Sequence, residues 1–173
     1  MNEQTSLNRL KPVLIGFFVM TLISIAPILN FINLFFCAGV MLGGVAGVLS
    51  FKKQFQKQGT AIVYKDAVMI GVLSGFMSAV FVSGFNIITM MYSDANPIVE
   101  SMKLFDDFIK NLPPEANNQL NSLAEEFNKY GYSPTLAVFT FISNLIIYPL
   151  FGAVGALLTA TVINNKVKNN VTI

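Results

Sequence analysis

Residues 12–51 form an apolar block of 40 residues without one charged side chain, and no other feature constrains the fold as much. Only Thr21, Ser24, Asn30, Asn33 and Ser50 interrupt it with polarity. As a single helix, at ~1.5 Å per residue, the block would be about twice as long as the ~30 Å hydrocarbon layer of a bilayer. The chain therefore has to turn back within it. Pro27, Asn30 and Asn33 mark the place, because a proline and two amides can interrupt a helix and meet interfacial water. Two spans follow, 12–29 and 32–51.

Two further uncharged stretches run over 67–92 and 133–164. Lys52, Lys53 and Lys57 open the loop 52–66 before the first, and Pro134 sits at a natural helix start of the second. Lys166 and Lys168 lie in the tail 165–173. Composition agrees: 54% of residues are hydrophobic and 12% charged, against roughly 25% charged in soluble domains. The predicted fold class is all-α, a polytopic membrane domain of four transmembrane helices over residues 1–173. Arg9 and Lys11 before an apolar run also suit a cleaved signal peptide, but the run passes into a second span with no polar sequence between. An uncleaved first span is expected.

Charge sets the expected orientation. The amino terminus, the loop 52–66 and the tail share one side, with Arg9, Lys11, Lys52, Lys53, Lys57, Lys65, Lys166 and Lys168 against Glu3 and Asp66, net +6. The segment 93–132 carries Lys103, Lys110 and Lys129 against Asp94, Glu100, Asp106, Asp107, Glu115, Glu125 and Glu126, net −4. The positive-inside rule then places both termini in the cytoplasm and 93–132 outside.

That outer segment patterns as a helical hairpin. Asn96–Pro97 is a helix entry, and Ile98, Met102, Phe105, Ile109 and Leu112 fall on one face. Pro113 and Pro114 break this helix. A second starts near Glu115, places Leu120, Leu123, Phe127 and Tyr130 at helical spacing and stops at Gly131. The apolar stripe is free to lie on the outer leaflet, cap the bundle or bind a partner.

Within the spans, Gly39, Gly43 and Gly47 repeat every four residues, Gly71 and Gly75 continue the theme with Ala79 and Ser83, and Gly152 and Gly155 join Ala156 and Ala160. Small residues let helix backbones approach where van der Waals packing drives association. Close packing of spans two and three is expected, with the small residues of span four able to join the same centre and a homodimer seam or a sliding transporter contact as alternatives. Asn86, Asn144 and Ser78 are polar groups at membrane depth that serve either as interhelical glue or as the lining of a small-solute pore.

No acidic or basic residue lies in any span, which leaves a coupled pump without a proton or sodium carboxylate. There is no histidine for a triad, no CxxC and no GxxxxGK loop, and Cys37 is the lone cysteine. No catalytic, cofactor-binding or metal-ligating residue is assigned. A lipid-modifying enzyme would have only the outer pairs Asp106–Asp107 and Glu125–Glu126, which read first as a solvated face. Net charge of +2 gives no basis for a nucleic-acid partner.

The run "PILNFINLFFCAGVMLGGVAG" (27–47), the Lys-rich loop and then "YKDAVMIGVLSGFMSAV" (64–80) resemble a family of small four-helix bacterial inner-membrane proteins of unknown function. The resemblance implies a bacterial cytoplasmic membrane location and no known reaction. The functional expectation is a non-enzymatic accessory subunit of the cell envelope, in contact with the bilayer and with itself or another envelope protein. A facilitative transporter or channel is the alternative.

Overall fold

The computed structural model describes residues 3–26, 29, 33, 37–55, 61–92, 96–105 and 109–171. Every regular element among them is helical: α1 (Glu3–Ile25), α2 (Ala38–Phe55), α3 (Tyr64–Met91), α4 (Pro97–Leu104), α5 (Pro114–Tyr130) and α6 (Pro134–Val171). Two helices, α3 and α6, are long and apolar enough to cross a membrane, each with a mean hydropathy of 2.0 over the relevant window. The uncharged parts of α1 and α2 within the described residues cover only 12–25 and 38–51, short of the roughly 20 residues a crossing needs.

Several helices extend beyond the apolar stretches that define the expected spans, although α1 ends at Ile25, short of residue 29. The first helix starts at Glu3 instead of residue 12, with Pro12 inside it, and α6 runs to Val171 instead of 164. Polar ends continue a helix because its first N–H and last C=O groups have no intrahelical partner and seek water. Hydropathy marks where the apolar stretch ends, not where the helix does.

The chain divides into two compact units, Met1–Val82 with Ser143–Ile173, and Ser83–Ile142. In the first unit, contacts fix the helix directions. Gly47 lies against Pro12, Gly43 against Gly16 and Gly39 against Ile23, so α2 runs antiparallel to α1. Ser74 Oγ donates to Val13 O at 2.9 Å and Ser78 Oγ to Phe17 O at 3.2 Å, so α3 runs parallel to α1. Gly71 meets Gly152 and Gly75 meets Tyr148, so α6 returns antiparallel to α3.

Around these seams sit three apolar clusters. Val13, Phe51 and Ile70 form one, Met20, Val40, Ala79, Val82 and Tyr148 a second, and Val48, Ile62, Ala67, Ala156, Ala160 and Ile163 a third.

Burial on α3 is inverted relative to a water-soluble helix. Ala67, Ser74, Ser78 and Ala79 are fully buried, together with Ile70, and Val82 is nearly so, whereas the large apolar side chains of Val72, Leu73, Phe76, Val80 and Phe81 are 37–53% exposed. In water the large apolar groups would be the ones withdrawn. In α6 the same inversion places Ala156 and Ala160 inside and Leu150, Leu158 and Val162 outside.

In the second unit, α5 is the centre. Gly131, at φ 77°, ends it and donates its N–H to Phe127 O at 2.8 Å; the left-handed conformation there favours glycine. Asn96 caps α4 by accepting the Val99 N–H at 3.3 Å and ties it to α5 by donating to Ala124 O at 3.1 Å and Asn128 Oδ1 at 3.0 Å. Regular helix in α4 stops at Leu104 rather than reaching Leu112 as its apolar spacing suggests. Phe105 is a turn residue whose carbonyl accepts from the Ile109 N–H at 2.9 Å.

Candidate functional site

The seven glycines singled out by spacing all face another segment of the same chain, and their contacts extend beyond spans two and three to α1 and α6. Gly39 and Gly43 approach α1, and Gly71 and Gly75 approach α6; of the three on α2, Gly47 alone reaches α3, at Ile70. Gly155 lies against the Met41 backbone. Spacing identifies a small face of a helix, and α2 has two of them: 39/43/47 toward α1, and Gly44 toward Gly152 of α6. Which helix fills each face depends on topology.

Ser78 is fully buried against α1, with its hydroxyl on Phe17 O and 3.5 Å from Thr21 Oγ1. Asn86, in the second unit, and Asn144, in the first, are half-buried. Of the expected turn, Pro27 and Asn30 lie outside the described residues. The half-buried Asn33 makes intrachain bonds: its Nδ2 donates to Ser24 Oγ at 3.4 Å and its Oδ1 accepts the Val40 N–H at 3.2 Å. It joins the end of α1 to the first turn of α2.

The hairpin stripe is largely covered from within the second unit. Phe127 and Ala124 are buried, and Leu123 and Met102 pack on them together with Met90, Val99 and Leu136. Ile109 and Leu120 are half-buried, while Phe105 is 62% exposed. The Ile98 side chain, and Asp106 and Asp107, lie outside the described residues.

Chemistry concentrates where α5 meets the start of α6. Ser133 is the N-cap of α6, its Oγ accepting the Leu136 N–H at 3.1 Å. Ser133 Oγ donates in turn to Glu126 Oε2 at 2.6 Å, and the same oxygen accepts the Thr135 N–H at 3.1 Å. Thr135 Oγ1 donates to Glu126 Oε1 at 2.6 Å.

These bonds from Ser133 and Thr135 hold the Glu126 carboxyl below the ordinary glutamate range. Glu126 is therefore a joint between two helices at the surface of the second unit. Sequence spacing missed it because its partners lie seven and nine residues on, past the turn at Gly131; only the Ser133–Pro134 helix start was readable.

Because the folded pKa is lowered, the joint adds stability that is complete above the unfolded glutamate value of about 4.3 and is lost as pH falls through the folded value. The Glu126→Gln protein should thus show a smaller drop in Tm between pH 7 and pH values below about 4 than the parent. Equal drops in thermal melts of the two proteins would remove this role.

Beside the joint, Asn118, Gln119, Ser122, Leu123, Glu126, Thr135, Leu136 and Phe139 enclose a cleft of about 510 Å³. Its lining combines amide, hydroxyl and carboxylate groups with the apolar side chains Leu123, Leu136 and Phe139. Among the described residues no group of three His, Cys, Asp or Glu side chains is placed to hold a metal ion.

No curated protein and no solved structure matches the chain. A family match does exist and covers residues 13–161, from α1 through most of α6, so the chain belongs to the family described as protein of unknown function (DUF4199).

Proposed function

We propose that the protein is a non-enzymatic accessory subunit embedded in the bacterial cytoplasmic membrane. It crosses four times, keeps both termini in the cytoplasm and presents the 93–132 segment outside. The inverted burial of α3 and α6 carries this reading, since large apolar side chains facing outward and small ones inward suit lipid and not water. Tyr64 and Tyr92, 47% and 86% exposed at the two ends of α3, suit the headgroup levels.

The alternating helix directions support an even number of crossings. At one end of the first unit Arg9 pairs with Asp66 at 2.7 Å, and Asn164 bonds the Ile62 backbone, as expected where the amino terminus, the 52–66 loop and the tail share a side. The glycine rows are occupied within the chain, and the exposed Leu104 and Phe105 on the outer segment are surfaces a second copy or another envelope protein can cover.

In a Cys37→Ala background, Phe105→Cys in intact spheroplasts should react with a membrane-impermeant maleimide, and Lys168→Cys only after permeabilisation. A bismaleimide at Phe105→Cys should trap a discrete larger species. Labelling of both positions from outside would overturn the four-crossing topology, and a strictly monomeric product would overturn the subunit role.

A further inference from the structure

The cleft between α5 and α6 is built for a ligand that is cationic at one end and apolar at the other. Glu126 is the sole charged side chain among its lining residues. Three donors hold it ionised, two on Oε2 and one on Oε1; a carboxylate has about four acceptor positions, so one remains on Oε1. Asn118 and Gln119 also line the cleft, with amide N–H groups of the kind a phosphodiester accepts. Leu123, Leu136 and Phe139 supply the apolar part of the lining.

Phe139 is 69% exposed, and its neighbours on α6, Val138 before it and Ile142 one turn after it, are 60% and 53% exposed. These residues start one of the two helices long enough to cross a bilayer. An acyl chain leaving the cleft would meet a continuous apolar helix face.

We infer that this cleft seats the headgroup of an amine-bearing zwitterionic phospholipid, the ammonium on Glu126, the phosphodiester near Asn118 and Gln119, and the acyl chains along Phe139 and Ile142. The volume lies in the range of roughly 300–1,000 Å³ typical of small-ligand sites. Charge selects against anionic lipids, because the 93–132 segment has a net charge of −4 and Glu126 faces any second anion. The inference rests on the membrane placement proposed above.

Its test uses the full chain purified in mild detergent and native mass spectrometry with dioleoyl phosphatidylethanolamine and dioleoyl phosphatidylglycerol at equal concentration. The parent should retain the ethanolamine lipid about fivefold more than the glycerol lipid, the effect of one partly exposed ion pair. Glu126→Gln should bring the ratio near one. Ser122→Phe, which fills the cleft from an exposed position on α5, should lose the retained lipid while keeping the parent Tm.

A parent ratio near one, or a Ser122→Phe protein that keeps the parent ratio, would overturn the lipid site. Water-soluble glycerophosphoethanolamine competing as well as the lipid would also overturn it, because the apolar lining would then contribute nothing. Carbonate extraction of the native membranes keeps the two proposals apart. A chain released by carbonate contradicts the membrane placement, whereas a retained chain without lipid preference contradicts only the cleft.

Discussion

Gly152→Leu is expected to leave no stably packed protein, while Gly84→Ala, also a glycine replacement in a long helix, is expected to be tolerated. A Cβ at Gly152 would stand 2.5 Å from Gly71 O and 3.0 Å from Met20 Cε, and Gly152 O occupies the space where a Cβ on Gly44 or Gly71 would go. Three helices meet backbone to backbone at this residue. Overpacking costs about 1–3 kcal/mol where side chains can shift aside. Here the obstacle is main chain, so α3 would have to move off α6 and the loss should exceed ~3 kcal/mol, a large share of the roughly 5–15 kcal/mol that holds a domain together.

A methyl added at Gly84 meets nothing within 4 Å, and alanine in a helix interior is favoured over glycine by up to about 1 kcal/mol. Thermal melts and gel filtration in detergent decide the matter. A monodisperse Gly152→Leu protein with the parent Tm would show that the α3–α6 contact is not what holds the first unit together.

That contact also shows where sequence reading stops. Helical periodicity exposes a row of small residues because any row at four-residue spacing lies on one face. Gly71 and Gly152 were visible for that reason. Their pairing was not, since it depends on helix direction and rotation, and α2 offers small faces to both α1 and α6.

Buried hydroxyls were half legible. Ser78 is recognisable as polar at membrane depth, but nothing in the small-residue pattern distinguishes Ser74, which is fully buried and donates to Val13 O. Hydropathy found the apolar segments and missed the polar helix ends, as the extension of α1 to Glu3 illustrates. The hairpin was legible through Asn96, Pro114 and Gly131, whose backbone requirements are local. Glu126 was not, because what gives it a role is a turn that carries Ser133 and Thr135 back to it. Local chemistry writes itself into short sequence patterns, and contacts made across a turn or between helices do not.

Asn164 is the strongest case of such a distant contact and carries the second large expected effect. Its Oδ1 accepts the Ile62 N–H at 2.6 Å and its Nδ2 donates to Ile62 O at 2.9 Å, across 102 residues of sequence. Ile62 is 2% exposed and belongs to the cluster with Val48, Ala67, Ala156, Ala160 and Ile163. It lies two residues before α3 begins, so neither of its backbone groups is served by helix.

Asn164→Leu removes both partners at once and leaves a buried donor and acceptor to open toward water. At about 1–3 kcal/mol for each orphaned group, a loss of roughly 2–5 kcal/mol is expected, with faster hydrogen exchange at the Ile62 amide. Thr161→Val, one turn away, should change little, because the exposed Thr161 hydroxyl only donates to Leu157 O of its own helix. If Asn164→Leu melts with the parent and Ile62 exchanges no faster, the end of α6 is not fastened to the start of α3 through this amide, and apolar packing around Ile62 alone holds the two helices in register.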